Sequence, residues 1–176
     1  MTLTLATEAP PFELPGVDGS THSLDDYADA PVLAVVWSCN HCPYVLAWED
    51  RMSAIQRDYA ERGFRLVAIS SNDAESYPAD SFEAMKAHAA DKGFPFDYLY
   101  DEDQSVARAY GPERTPEVFL FDADRRLVYH GAIDDSRDEY AVSESYLRDA
   151  IDAVLDGRDP QRSDTPPVGC SIKWRA

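Results

Sequence analysis

Two cysteines separated by two residues are the part of this sequence best able to do chemistry. Cys39 and Cys42 stand in the run Trp37-Ser38-Cys39-Asn40-His41-Cys42-Pro43. The two-residue spacer brings the second sulfur within bonding distance of the first, so the pair can cycle between a dithiol and a disulfide. The same spacing also serves metal sites. The pattern therefore predicts redox catalysis or metal binding.

A continuous apolar segment and an amphipathic segment flank the pair. Residues 32–37 are all apolar, which is typical of a central strand covered on both faces. After the motif, apolar residues recur at helical spacing as far as Gly63. They are Val45, Trp48, Met52, Ile55 and Tyr59. The sequence therefore predicts that Cys39 lies at the end of a buried strand, just where a helix begins.

This placement predicts a role for each residue of the motif. The first turn of a helix stabilises anions, and in such motifs it lowers a cysteine pKa from about 8.5 to roughly 3.5–7.5. We expect Cys39 to be the more exposed thiol and to attack disulfides, while Cys42, one turn into the helix, resolves the mixed disulfide. A protonated His41 between them would stabilise the thiolate further and raise the reduction potential.

Metal binding is the weaker interpretation of the motif. A structural zinc site needs further ligands at matching spacing. The remaining candidates are scattered along the chain: His22, His88, His130 and Cys170. We therefore predict a redox pair with no metal and no cofactor.

The remaining segments predict an α/β fold. A hairpin is expected over 11–24, strands over 64–70, 94–100, 118–121 and 127–133, and helices over 81–92, 104–110 and 143–155. Alternating strands and helices require parallel strands, and the late hairpin adds two antiparallel ones. We predict a mixed central sheet flanked by helices, an N-terminal β-hairpin, one domain over 1–157, and a C-terminal tail over 158–176 packed on it.

Several stretches together resemble the thioredoxin superfamily and, more narrowly, the peroxiredoxin-like AhpC/TSA (redoxin) proteins. They are Cys39 to Val45 (CNHCPYV), Thr115 to Asp122 (TPEVFLFD), Asp134 to Arg137 (DDSR) and Gly169 to Trp174 (GCSIKW). The resemblance covers nearly the whole chain. It implies the thioredoxin fold and thiol–disulfide chemistry.

The resemblance also implies a substrate-binding segment. In this superfamily a cis proline faces the cysteine pair, and the backbone beside it binds an extended substrate chain; Thr115 and Pro116 hold those positions here. Trp37, next to the pair, is a further candidate for substrate binding, with a place in the aromatic core as the alternative. Glu117 is a weak candidate for the carboxylate that accepts a proton from Cys42.

One departure from the family pattern bears on activity. Peroxiredoxins carry a Pro-x-x-x-Thr-x-x-Cys motif whose threonine helps to activate the peroxide. Here the threonine position holds Cys39 or Val36, depending on which cysteine is matched. We therefore expect a thiol–disulfide oxidoreductase. The alternatives are a thiol-dependent peroxidase, and a non-catalytic redox sensor or metal carrier that uses the same thiols.

Two further features stand outside the motif. Cys170 is either a third redox thiol, able to pair with Cys39 or with a partner chain, or a small buried side chain in a tail held down by Ile172 and Trp174. Asp134, Asp135 and Arg137 are expected in a solvated loop at a strand end, with a charged cluster there as the alternative.

Charge and composition limit the partners. The chain has 33 acidic and 16 basic residues, a formal charge of −17, which repels phosphate backbones and excludes nucleic acid as an expected partner. No segment has the ~20 apolar residues of a membrane span, and the N-terminus lacks the features of a secretory signal, so we expect a cytoplasmic protein. The expected partners are protein or low-molecular-weight disulfides and a dithiol reductant; the oligomeric state is not predicted.

Overall fold

The computed structural model describes all residues, 1–176. The strands are β1 (Glu13–Pro15), β2 (Thr21–Ser23), β3 (Val32–Trp37), β4 (Phe64–Ser70), β5 (Asp97–Tyr100), β6 (Arg114–Thr115), β7 (Glu117–Phe121), β8 (Leu127–Gly131) and β9 (Cys170–Ser171). The helices are α1 (Pro43–Tyr59), α2 (Phe82–Lys92), α3 (Ser105–Tyr110) and α4 (Tyr146–Leu155). Short 3₁₀ turns lie at Leu24–Tyr27, Ala60–Arg62, Pro78–Asp80 and Glu139–Ala141.

Five strands form the central sheet in the order β5-β4-β3-β7-β8. β3, β4 and β5 run parallel, while β7 is antiparallel to β3 and β8 is antiparallel to β7. β1 and β2 form the predicted N-terminal hairpin. This is the thioredoxin fold, as predicted, and it places the end of β3 in the middle of the molecule. No helix has the length and apolar character needed to cross a membrane.

The uninterrupted apolar run of β3 follows from burial on both faces. Val32, Ala34 and Val36 face a core layer formed mainly with α1, α2 and α4. Leu33, Val35 and Trp37 face a second layer formed with α3 and the N-terminal segment. All six side chains are buried, so β3 is a fixed platform from which the cysteine segment emerges.

The structure corrects several predicted boundaries. β5 begins at Asp97 rather than Phe94, because α2 ends at Gly93 in a left-handed conformation and Phe94 stacks on Phe96 in the connection. β8 ends at Gly131. The last helix begins at Tyr146 rather than at residue 143.

Candidate active site

The cysteine segment leaves β3 at Trp37 and enters α1 at Pro43. Proline is favoured at the first helical position because it has no N–H to leave unpaired, and it holds the preceding residue in an extended conformation. That residue is Cys42, the N-cap of α1, with φ −66° and ψ 123°. The prediction that the helix begins at Cys39 is therefore wrong, and it is Cys42 that lies at the helix N-terminus.

Both thiols are free and buried. Cys39 is 1% exposed and Cys42 is 0% exposed, so the two thiols do not show the expected difference in exposure. The sulfur of Cys39 lies 3.8 Å from Oγ1 of Thr115, and that of Cys42 lies 3.5 Å from the Thr115 carbonyl oxygen. The pair is in its reduced form beneath the loop that carries Thr115.

The pKa values of the two thiols are shifted in opposite directions. A hydrogen bond from Cys39 lowers the pKa of Cys42 to about 4 against the opposing effect of burial, and hydrogen bonds from Cys170 and from the Val45 backbone add to the lowering. The hydrogen bond to Cys42, then burial, then the charge of Asp80 raise the pKa of Cys39. The lowered pKa and the N-cap position both favour the negative charge on Cys42, whereas the sequence-based expectation placed it on Cys39.

A buried carboxylate that sequence analysis missed lies beside the pair. Asp80 is fully buried and accepts hydrogen bonds from the Asn40 backbone N–H (2.8 Å) and the Asn72 side chain (2.9 Å). Asp80 follows no recognisable motif and lies in a 3₁₀ turn far along the chain. Only the crossover after β4 brings it to Cys39, so local sequence carries no signal for it.

His41 lies between Asp80 and solvent. Its ring stacks on Tyr77, with the planes 2° apart and the centroids 6.0 Å apart, and its side chain is 34% exposed. Nδ1 lies 2.6 Å from Oδ2 of Asp80, although the orientation is not that of a well-formed hydrogen bond. The negative charge of the Asp80 carboxylate, which lies beside the same ring, therefore opposes the predicted stabilisation of the thiolate by His41.

Cys39, His41 and Asp80 are the residues of this site that could hold a metal. Their ligand atoms lie within 4.8 Å of one another, an arrangement that the spacing of the histidines and cysteines did not predict. Both oxygens of Asp80 already accept hydrogen bonds from the protein. This arrangement favours an electrostatic role for the carboxylate.

Replacing His41 with alanine is expected to lower the reduction potential of the cysteine pair by about 10–30 mV. Without the imidazole, the buried charge of Asp80 acts more fully on the sulfurs and disfavours the thiolate, hence the reduced form. The partial exposure of His41 limits the effect. Equilibration with glutathione buffers measures it, with His22→Ala, which is remote from the pair, as the control. Identical potentials would show that His41 has no electrostatic role.

The Thr115–Pro116 peptide bond is cis, as the resemblance implied. Both residues are buried beside the cysteines. Glu117, fully buried, does not contact Cys42; its carboxylate accepts hydrogen bonds from the backbone N–H groups of Glu113 (2.8 Å) and Arg114 (2.7 Å). Its role is thus to hold the loop that places Thr115 over the sulfurs.

Trp37 does not fit the expected contact with substrate. It is fully buried, its ring packs on Tyr110 and Phe119, and its indole N–H donates to Oγ of Ser71 at 3.0 Å. Ser71 in turn donates to the buried carboxylate of Asp101. The alternative of an aromatic core position describes Trp37 correctly.

The C-terminal tail reaches the cysteine pair. β9 pairs antiparallel with β6, with Cys170 opposite Thr115, and Cys170 packs against Cys39 and Cys42. Of the two residues expected to hold the tail, Ile172 is buried, but Trp174 is 42% exposed and only stacks with Arg108. Cys170 is thus a third thiol at the site.

The expectation of a solvated loop is wrong for Asp134. Its buried carboxylate binds the Arg51 guanidinium at 2.8 and 3.0 Å and accepts a hydrogen bond from the Trp48 indole at 2.8 Å. Asp135 and Arg137 are exposed, as expected. Asp134 binds side chains of α1 and makes no hydrogen bond to either cysteine, so its role is structural support.

The sheet order, the cis proline and the paired thiols together define a thioredoxin-fold protein of the thiol–disulfide class. The AhpC/TSA family model matches residues 5–130, and the chain belongs to this family. A hypothetical protein from Sinorhizobium meliloti 1021 is 42% identical with a TM-score of 0.94, over 100% of this chain and 97% of that one. An uncharacterized conserved protein from Geobacillus kaustophilus is 43% identical with a TM-score of 0.93, over 98% and 93% of the two chains. The thiol-disulfide oxidoreductase ResA of Bacillus thuringiensis is 23% identical over 128 residues, 72% of this chain and 68% of that protein.

Proposed function

We propose that this protein is a thiol–disulfide oxidoreductase that uses the Cys39/Cys42 dithiol to reduce or exchange disulfides through a mixed-disulfide intermediate. The observation that carries the proposal is the placement of two free thiols against Thr115, with Cys42 at the N-cap of α1, where the helix N-terminus favours a thiolate. A thiolate, and not a thiol, is the nucleophile in disulfide exchange.

The geometry supports a particular order of steps. The Cys42 thiolate attacks one sulfur of a substrate disulfide, and the other substrate sulfur leaves as a thiolate. Cys39 then attacks the Cys42 sulfur, which releases the second substrate thiol and forms the Cys39–Cys42 disulfide. Asp80 and His41 are near enough to Cys39 to receive its proton at this step. A dithiol reductant restores the pair.

The proposed substrates are protein or low-molecular-weight disulfides. Because both sulfurs are buried under the Thr115 loop and the tail, a substrate chain can reach them only when one of these segments moves. The cytoplasmic location remains a prediction.

Peroxide reduction is the second candidate, favoured by the position of Cys42. It is the later cysteine of the motif, and it lies at a helix N-terminus with a lowered pKa. The residue three positions earlier is Cys39 rather than threonine, so the chain has no hydroxyl group at the position that activates the peroxide. We therefore place peroxide second to disulfides.

Turnover by the purified protein tests the proposal. With dithiothreitol as reductant, we expect reduction of insulin disulfides or oxidised glutathione with a kcat/KM at least tenfold above that for hydrogen peroxide. Cys39→Ser/Cys42→Ser is the inactive control. The reverse ratio would make the protein a peroxidase. A pair that oxidises and reduces without turning over either substrate would indicate a redox sensor.

A further inference from the structure

The tail carries a thiol to the cysteine pair along a strand. β9 is only two residues long, but it pairs with β6 in the Thr115 loop. The register of this pairing puts Cys170 directly opposite Thr115. Thr115 itself contacts both sulfurs of the pair through its hydroxyl and its carbonyl group. Cys170 is therefore positioned at the place where an extended chain beside Thr115 would present a sulfur.

The tail is anchored on both sides of Cys170. Before it, the Thr165 N–H donates to the His130 carbonyl, and the Thr165 hydroxyl bonds with that of Tyr129. After it, Ile172 is buried in the core, and the Lys173 carbonyl accepts a hydrogen bond from the Asp73 backbone at 2.8 Å. These contacts hold the tail in a defined path across the site.

At Gly169 the tail approaches the backbone of Thr115 closely. A Cβ atom at this position would lie 1.9 Å from the Thr115 carbonyl oxygen and 2.6 Å from its carbon. Both are backbone atoms next to Pro116, so they cannot turn aside as the end of a side chain would. Only glycine allows the chain to pass so near the cysteine pair.

We propose that Cys170 is a second resolving thiol of this site, positioned by β9 to form a disulfide with Cys42. The proposal rests on the proposed function. Once Cys42 has formed a mixed disulfide, the Cys170 sulfur attacks the Cys42 sulfur and forms the Cys42–Cys170 bond. The substrate sulfur leaves and takes up the proton of Cys170. The two thiols have then supplied the two electrons that reduce the substrate disulfide.

The exposure and charge of the three sulfurs agree with this role. Cys170 is partly exposed, whereas Cys39 and Cys42 are buried, so the Cys42–Cys170 bond is the one that an external dithiol can reach. Burial, then the hydrogen bond to Cys42, raises the pKa of Cys170 to about 11, while Lys173 and Arg114 oppose the rise. When Cys42 is in a mixed disulfide, the contribution of its thiolate to this rise is removed.

A coloured leaving group provides the test. One equivalent of 5,5′-dithiobis(2-nitrobenzoate) is added to Cys39→Ser and to Cys39→Ser/Cys170→Ser. We expect the first to release two thionitrobenzoates per protein and to form a Cys42–Cys170 link, mapped by non-reducing mass spectrometry. The second should release one and keep its adduct at least tenfold longer.

Two further variants control for proximity and folding. Cys39→Ser/Cys170→Ser/Ser171→Cys moves the thiol one residue along β9, to the opposite face of the strand, and should form no link with Cys42. Gly169→Val, which displaces the tail, should reduce the Cys42–Cys170 link in Cys39→Ser at least tenfold while Cys39–Cys42 oxidation persists in the otherwise wild-type chain.

The outcomes separate this inference from the proposed function. If Cys39→Ser keeps its adduct as long as the double variant does, or if the thiol at 171 forms the link equally well, Cys170 is not a resolving thiol. Disulfide turnover by the wild type would still stand in that case. If Cys42 fails to react with the reagent in every variant, the inference fails together with the assignment of Cys42 as the nucleophile, whereas turnover by the wild type decides the proposed function separately.

Discussion

Replacing Cys42 with serine is expected to abolish disulfide reduction, a loss of about 10³-fold or more. The remaining thiol of the pair, Cys39, precedes the helix N-terminus, and burial and the charge of Asp80 still hold its pKa above the ordinary value. Cys39→Ser/Cys170→Ser should instead keep its nucleophile and accumulate mixed disulfides, because neither resolving thiol is present. Non-reducing gels and mass spectrometry of the adducts measure the difference.

The pH dependence of alkylation gives an independent measure of the same assignment. A thiol with a pKa of about 4 is fully ionised above roughly pH 5, so the alkylation rate of Cys42 should be level from there to neutral pH. The rate itself is a poor indicator, since nucleophilicity falls as the pKa falls. In Cys39→Ser the midpoint should move upward, because the first cause of the lowered pKa is the hydrogen bond from Cys39. Mixed-disulfide adducts that form in Cys42→Ser but not in Cys39→Ser/Cys170→Ser would show that Cys39 is the nucleophile.

The sequence predicts the central sheet well because local pattern and tertiary environment agree there. The apolar runs of β3 and β4 match the strands to the residue, since both faces of β3 are buried and β4 is exposed only at Arg65. The helix start was misjudged by three to four residues. Pro43 marks the start of α1, because its preference for the first helical position makes Cys42 the N-cap.

Sequence analysis missed Asp80 and left the role of Cys170 open, and both residues come from distant segments of the chain. Asp80 and Cys170 reach Cys39 and Cys42 only through the crossover after β4 and through the path of the tail. Nothing within a local window shows that a short turn or a proline-rich tail ends on the catalytic pair. Gly169 was the one available signal, although its meaning depends on knowing that Thr115 lies against it.

Replacing Asp134 with alanine is expected to lower the free energy of unfolding by about 3–5 kcal/mol. The Arg51 side chain is 14% exposed and that of Asp134 is 6% exposed, so the pair is largely removed from water. Without the carboxylate, the guanidinium loses its two bonds to Asp134, and the indole N–H of Trp48 loses its only acceptor in a buried position. Arg51 still donates to the Ser136 carbonyl, which does not neutralise its charge.

A loss of this size is a large share of the 5–15 kcal/mol that typically stabilises a domain, and it corresponds to a fall in Tm of about 10 °C. Thermal and urea unfolding of the reduced protein measure it. Asp135→Ala is the matched control, because the Asp135 carboxylate is exposed and accepts hydrogen bonds only from Ser143. Arg51→Met/Asp134→Ala should recover part of the loss, since it removes the buried charge that the single variant leaves unpaired. Equal losses in Asp134→Ala and Asp135→Ala would show that the buried pair contributes no more than a surface contact.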